Sequence, residues 1–269
     1  MQDWDRAIQS NRELWNELTE VHAGGAYDVD DFRSGKKQLD PLVRSEIGDV
    51  AGKSLLHLQC HFGVDTLMWA RLGAQVTGAD LSPDAIALAR KLGDELGLPA
   101  TFVESNLYDL PNVLQGEFDI VYTSWGVLGW LPDLATWGQI IAHYLKPGGF
   151  FYIAETHPFL NVFYDGSDAT GLRVEYTYFY EPRYEANSHD YASGKSLANP
   201  MYLWRHSLGE VVNALAGAGL RIDFLHEHPF LSWPYVPFMI QDAEGWYRLP
   251  SGFPGIPLSF SIKATKAGS

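Results

Sequence analysis

One stretch of this chain has the residue types and spacing of a nucleoside-binding turn. Leu55-Leu56-His57-Leu58-Gln59-Cys60-His61-Phe62-Gly63-Val64-Asp65-Thr66 runs apolar, then tight and polar, then helical, and Asp80 closes a second apolar run. An acid about twenty residues past such a turn can accept two hydrogen bonds from ribose hydroxyls. A pyrophosphate would want three glycines so that backbone amides can approach it. Here only Gly63 stands in the turn, and Gln59 and His61 occupy places where small residues are expected. The expected ligand therefore carries ribose and adenine but no pyrophosphate.

Other residues suggest reactive roles. His157 lies just beyond the fifth core strand, at the rim of the expected crevice, and an intrinsic pKa near 6.5 suits a base or substrate-orienting group. Glu155 is the second choice, and a neutral amine substrate would require neither. Tyr27, Phe32 and Arg33 belong to an N-terminal segment that reads either as a lid over the ligand or as a surface loop; in a lid, Arg33 is available to pair with a carboxylate. His57 reads as a satisfied histidine inside a strand, and Cys60 as a small buried hydrophobe without a nucleophile's partner. His157, His226 and His228 form no compact ligand motif, so no metal is expected.

These residues need elements to hold them. Ser54 to Leu58 reads as a buried strand, Asp65 to Leu72 as a helix stopped by Gly73, and Gln75 to Ala79 as a second strand. Ser82 caps a helix with Pro83 in its first turn and Gly97 past its end. Strands follow at Thr101–Glu104, Phe118–Thr123 and Phe150–Glu155, with a helix from Pro132 to Leu145 before the last. This alternation implies a parallel sheet covered on both faces, with ligands beyond the strands' carboxyl ends. It lapses after Glu155 in a stretch dense in Phe, Tyr and Trp, then resumes at Ser207, which forms a capping box with Glu210. Strands at Arg221–His226 and Leu258–Thr265 complete the pattern. At the other end, Met1 to His22 reads as one or two amphipathic helices, residues 23–35 as a loop, and 39–47 as a short helix.

The order and spacing resemble the class I S-adenosylmethionine-dependent methyltransferase superfamily, whose first motif usually reads Leu-Asp-Leu-Gly-Cys-Gly-x-Gly. The Leu-His-Leu-Gln-Cys-His-Phe-Gly seen here resembles a bacterial subfamily of small-molecule type. Trp130-Leu131-Pro132-Asp133 and Leu145-Lys146-Pro147-Gly148-Gly149 resemble later landmarks of the superfamily. The resemblance implies an α/β fold: a Rossmann-like seven-stranded sheet, mostly parallel with an antiparallel last strand, in a single domain. Its parts would be an N-terminal helical lid (1–47), a cofactor-binding core (48–157), an acceptor-side insertion (158–205), and C-terminal strands (206–269) with a further insertion (229–257). It implies S-adenosylmethionine as cofactor and methyl transfer to a small molecule by direct displacement. Gln59 and Gly63 would lie against the methionine part, Asp80 would bind the ribose, Leu81 would pack on adenine, and Asn106 would accept from the adenine amino group. Ser124 and Trp125 would close the pocket beneath the sulfonium, and Cys60, Thr66 and Leu107 join the cofactor contacts by their place in the motifs.

Composition bounds the partners. Lys and Arg number 19 against 33 Asp and Glu, a formal charge of -14 that argues against a phosphate-backbone substrate. A single cysteine excludes an internal disulfide, and the N-terminus carries no basic-then-apolar signal segment. With no apolar run long enough for a membrane, the expectation is a cytoplasmic protein, monomer or homodimer. The alternatives are a non-catalytic nucleoside-binding protein of the same fold and a Rossmann NAD(P) oxidoreductase, the latter disfavoured by the missing glycines.

Overall fold

A computed structural model of the chain describes residues 4–185 and 196–268. Helix α1 (Trp4–Val21) runs into a π turn at His22–Ala26, followed by α2 (Val29–Arg33) and α3 (Pro41–Ile47). The core alternates β1 (Ser54–Leu58), α4 (Val64–Arg71), β2 (Gln75–Asp80), α5 (Pro83–Leu96), β3 (Ala100–Glu104), short α6 (Leu110–Val113), β4 (Phe118–Thr123), α7 (Leu134–Tyr144) and β5 (Leu145–Thr156). A hairpin of β6 (Glu181–Glu185) and β7 (Met201–Arg205) precedes α8 (Leu208–Gly217) and β8 (Leu220–His228), the small pair β9 (Ile240–Gln241) and β10 (Tyr247–Arg248), and β11 (Ser259–Lys266).

Seven strands form one sheet in the order β3-β2-β1-β4-β5-β11-β8. The strands from β1 to β5 pair in parallel, while β11 is antiparallel to both β5 and β8, so the expected antiparallel last strand is present. Adjacent residues of each strand face opposite ways. Leu56, Val121 and Phe151 pack with Trp137, Ile141 and Leu215 from α7 and α8. Leu55, Tyr122 and Tyr152 pack on the other face with Phe32, Val43, Trp69 and Ile86. Each such fully buried side chain contributes about 1.5–3 kcal/mol over leaving it exposed.

Local chemistry sets the element ends. Ser82 accepts from the Ala85 amide at 3.1 Å to start α5, Asp40 accepts from Leu42 and Val43 to start α3, and Ser207 and Glu210 cap α8 reciprocally. Three expectations shift. Residues 23–35 are not all loop, because α2 forms and buries Phe32. Helix α7 starts only at Leu134, because Asp133 caps it by accepting from the Thr136 amide. Strand β5 starts at Leu145 rather than Phe150, because Leu145 already pairs with Phe118 before the register shifts at the Lys146–Gly149 turn.

Beyond Glu155, Leu160, Val162 and Phe163 make a separate core with Leu231, Val236, Met239 and Leu258, so the segments around residues 160–163 and 231–239 pack against each other. Residues 186–195 of the first insertion lie outside the described residues. Among the described residues no helix is long and apolar enough to cross a membrane, and no group of three or more His, Cys, Asp or Glu is placed to hold a metal ion.

Candidate functional site

A cleft of about 1530 Å³ opens beyond the carboxyl ends of the parallel strands. Its floor is the turn at residues 59–63. Gln59 (φ 54), His61 (φ 51) and Gly63 (φ 73) all sit in the left-handed region. The first two are not glycines, and such a conformation costs on the order of 1–2 kcal/mol each for an L-residue. The surroundings hold them there. The Cys60 amide donates to the Ala79 carbonyl at 3.0 Å, the His61 amide to Asp80 Oδ2 at 2.7 Å, and Gln59 Nε2 to the Val127 carbonyl at 3.3 Å. Gly63 has no such latitude: a Cβ there would come within 2.6 Å of the Phe102 ring.

Asp80 ends β2 directly against this turn. Its other oxygen accepts from the Ser82 amide at 2.9 Å. Burial pushes its carboxyl up to about 6, against the opposing pull of the backbone amides. Leu81, Asn106 and Leu107 line the same end of the cleft. Asn106 caps a 3-10 turn, its carbonyl accepting from the Tyr108 amide at 3.4 Å.

Behind the turn, His57 is buried with Nδ1 2.8 Å from Thr66 Oγ1 and Nε2 3.2 Å from Ser124 Oγ. Burial drops its pKa to about 3, so the imidazole is neutral. The Cys60 thiol is pushed up by burial and by the Asp80 charge, which keeps it protonated and inert. Above the turn, α1 and the π turn form an aromatic cover. Trp15 and Tyr27 both meet the His61 ring edge-on, at centroid distances of 5.0 and 5.4 Å, and His61 Nε2 lies 3.0 Å from His22 Nδ1. Burial, reinforced by His22, lowers the His61 pKa well below its ordinary value. Asn11 ties α1 to β7 through two hydrogen bonds with the Tyr202 backbone, and Asn16 accepts from the Ser82 hydroxyl at 2.6 Å.

The opposite wall is assembled from distant segments. Trp125 follows β4 and meets Trp233 edge-on at 5.1 Å, with Asn161, Tyr178, Arg205, Tyr235 and Trp246 nearby in the lining. Glu155 reaches the cleft at the end of β5, but its oxygens accept from the amides of Gly126, Val127, Leu128 and Thr156. Burial raises its pKa and those amides oppose the rise, so this carboxylate holds the loop after β4 rather than standing free as a base.

Gln59, Cys60, Gly63, Asp80, Leu81, Asn106, Leu107, Ser124, Trp125 and Glu155 thus share one cleft. Three expected residues do not line it. His157 points across β11: Nδ1 accepts from the Phe159 amide at 3.0 Å, and Nε2 lies 2.9 Å from Glu227 of β8. Thr66 is fully buried and spends its hydroxyl on His57. Arg33 pairs at the surface with Asp30 and Glu95. Sequence reasoning missed Lys37, Asp40, Asp65 and His206, which do line the cleft. Asp65 had the look of an ordinary first-turn helix acid, and nothing in the spacing of Lys37 and Asp40 marked them.

The strand order and the antiparallel final strand define a Rossmann-like methyltransferase fold. Residues 56–153 match the family described as a methyltransferase domain. A ubiquinone biosynthesis O-methyltransferase of Xanthomonas oryzae pv. oryzae is 35% identical over 131 residues, 48% of this chain and 54% of the relative. The chain spans about half the length of the curated relatives it matches. Among solved structures, an S-adenosylmethionine-dependent methyltransferase from Mesorhizobium loti superposes with a TM-score of 0.63 at 24% identity, covering 84% of this chain and 96% of that one. The glycopeptide N-methyltransferase MtfA complexed with S-adenosylmethionine superposes with a TM-score of 0.53 at 17% identity, covering 82% and 90%. Over residues 56–153 the chain is thus similar to methyltransferase domains, and as a whole it has the fold of the superposed S-adenosylmethionine-dependent methyltransferases.

Proposed function

We propose that this protein transfers the methyl group of S-adenosylmethionine to a small-molecule acceptor by direct displacement. The observation that carries the reading is Asp80, a carboxylate at the tip of β2 bonded to the amide of His61 in the turn after β1. That juxtaposition suits a ribose whose sulfur substituent crosses the turn. The cleft also holds polar atoms that wait for a ligand: Gln59 Oε1 and Trp125 Nε1 are buried without a hydrogen-bond partner.

In this reading Asp80 holds the ribose, Leu81, Asn106 and Leu107 the adenine, and Gln59, Cys60 and Gly63 the tail, with Ser124 and Trp125 beneath the sulfonium. The bound cofactor supplies a methyl carbon already activated by its sulfonium. The chain's own work is alignment and exclusion of water, and alignment contributes about 7–11 kcal/mol in favourable intramolecular cases. The faces of Trp125 and Trp233 add about 0.5–2 kcal/mol toward a nearby cation. The match to ubiquinone biosynthesis O-methyltransferases supports a small organic acceptor, and the formal charge of -14 supports one that is not nucleic acid. A cytoplasmic location is part of the proposal, and the lack, among the described residues, of a helix long and apolar enough to cross a membrane is compatible with it. Calorimetric titration with S-adenosylhomocysteine tests it: micromolar binding is expected, and no binding to the wild type would end the proposal.

A further inference from the structure

One nitrogen in the cleft keeps a lone pair that the fold does not use. His206 follows β7, is half-buried and lines the cleft. Its Nε2 lies 2.7 Å from the carbonyl oxygen of Leu131. A carbonyl can only accept, so Nε2 carries the proton of the neutral ring and Nδ1 is left bare. Nδ1 has no hydrogen-bond partner among the described residues. The residue is held from both sides in the chain: buried Trp204 comes two positions before it, and Ser207, which caps α8 together with Glu210, comes next. Leu131, to which the ring is tied, belongs to the loop that leaves β4 at Ser124 and Trp125.

The groups around His206 decide its charge. Burial lowers its pKa from the ordinary 6.5, against the Leu131 carbonyl and the charges of Glu210 on α8 and Asp133 at the cap of α7, so the ring is neutral at pH 7. The Tyr180 ring lies beside it at a centroid distance of 5.6 Å. Other acid-base groups of the cleft are committed. Both oxygens of Glu155 accept from backbone amides, and both nitrogens of His57 are bonded to hydroxyls. Asp40 caps α3 with one oxygen and accepts from the Ser232 hydroxyl with the other. His61 gives its Nε2 to His22.

We propose that His206 is the general base of the reaction, its Nδ1 accepting the proton of an aromatic hydroxyl as that oxygen takes the methyl group. The assignment rests on the methyltransferase reading of the cleft and names the class of acceptor. The acceptor oxygen bonds to the methyl carbon, the carbon–sulfur bond breaks with its electron pair left on sulfur, and the hydroxyl proton passes to Nδ1 and then to water. A neutral amine needs no such base, and a flat ring bearing a hydroxyl suits a wall lined by Trp125, Tyr178, Trp233 and Trp246. Histidine-nitrogen NMR of the isotope-labelled wild type, with the signals assigned by chain connectivity, shows for His206 a protonated Nε2 and a bare Nδ1 at pH 7. A protonated Nδ1 would overturn the assignment, and this measurement stands even where a variant fails to fold. The second measurement adds 4-nitrocatechol, an aromatic hydroxyl whose ionised form absorbs at longer wavelength, to protein saturated with S-adenosylhomocysteine. The wild type keeps the bound probe ionised to a pH about one unit lower than in water, a tenfold change in acidity, because the proton is held beside it as an imidazolium. His206→Gln binds the probe within about threefold and loses the shift. With S-adenosylhomocysteine bound, a probe that does not bind, binds without a shift, or shifts equally in His206→Gln would overturn the base and leave the cofactor reading intact. No binding of S-adenosylhomocysteine by the wild type would overturn both.

Discussion

The two walls of the cleft are built in different ways. The wall built on the sheet uses strand tips and the residues next to them: the turn at 59–63, Asp80 to Ser82, and residues 105–107. Asp80 there is pinned by backbone hydrogen bonds from the His61 and Ser82 amides. The facing wall gathers Trp125, Tyr178, Arg205, Trp233 and Trp246 from segments far apart in the chain, over a satellite core of its own. Where the sheet holds a site, single residues carry it. Where an insertion walls it, many contacts share the work.

Asp80→Ala gives the largest expected effect. It removes the proposed ribose acceptor and the His61 anchor together, and S-adenosylhomocysteine affinity should fall about a hundredfold or more by calorimetry. A loss under about tenfold would break the contrast between the walls.

Gly63→Ala tests the turn itself. A Cβ would lie 2.6 Å from the Phe102 ring at a φ of 73, so destabilisation of about 2–4 kcal/mol is expected, read as a fall of several degrees in the thermal midpoint.

Proton linkage sharpens the same wall. Burial raises Asp80 and Asp65 from an ordinary 3.8 to about 6. In the proposed function ribose hydroxyls donate to the ionised form of Asp80, so affinity should be flat near neutrality and fall as the pH drops through about 6. In the ligand-free protein the sign reverses. The folded state holds these protons more tightly than the unfolded one, so their contribution to stability is fully present below 3.8 and is lost as the pH rises through about 6. Titrations and melts across that range check both slopes.

On the facing wall, Trp233→Ala should leave S-adenosylhomocysteine affinity within about twofold, because one aromatic among several is removed. A larger loss would show that this wall also grips the cofactor. Arg33→Ala should change affinity not at all and stability by less than about 1 kcal/mol, as its pairs with Asp30 and Glu95 are exposed.

Local spacing was enough to read the alternating strands and helices, the caps at Ser82 and Ser207, and the placing of Asp80 beside the turn. Those features depend on residues a few positions apart or on the two halves of one strand-helix-strand unit, where geometry leaves little choice. The tertiary structure alone decided which way the remaining groups face. His157 was expected in the crevice, yet its chain still follows β11, with the His157 amide donating to the Leu258 carbonyl, and its ring turns toward Glu227 two strands away. Gln59 and His61 looked unsuited to a glycine turn, and they hold its left-handed backbone because β2 and the loop after β4 grip it. Asp65 and Lys37 line the same cleft although they lie far apart in the sequence. A side chain's direction follows from partners brought together across the sheet, and those partners are not neighbours in the sequence.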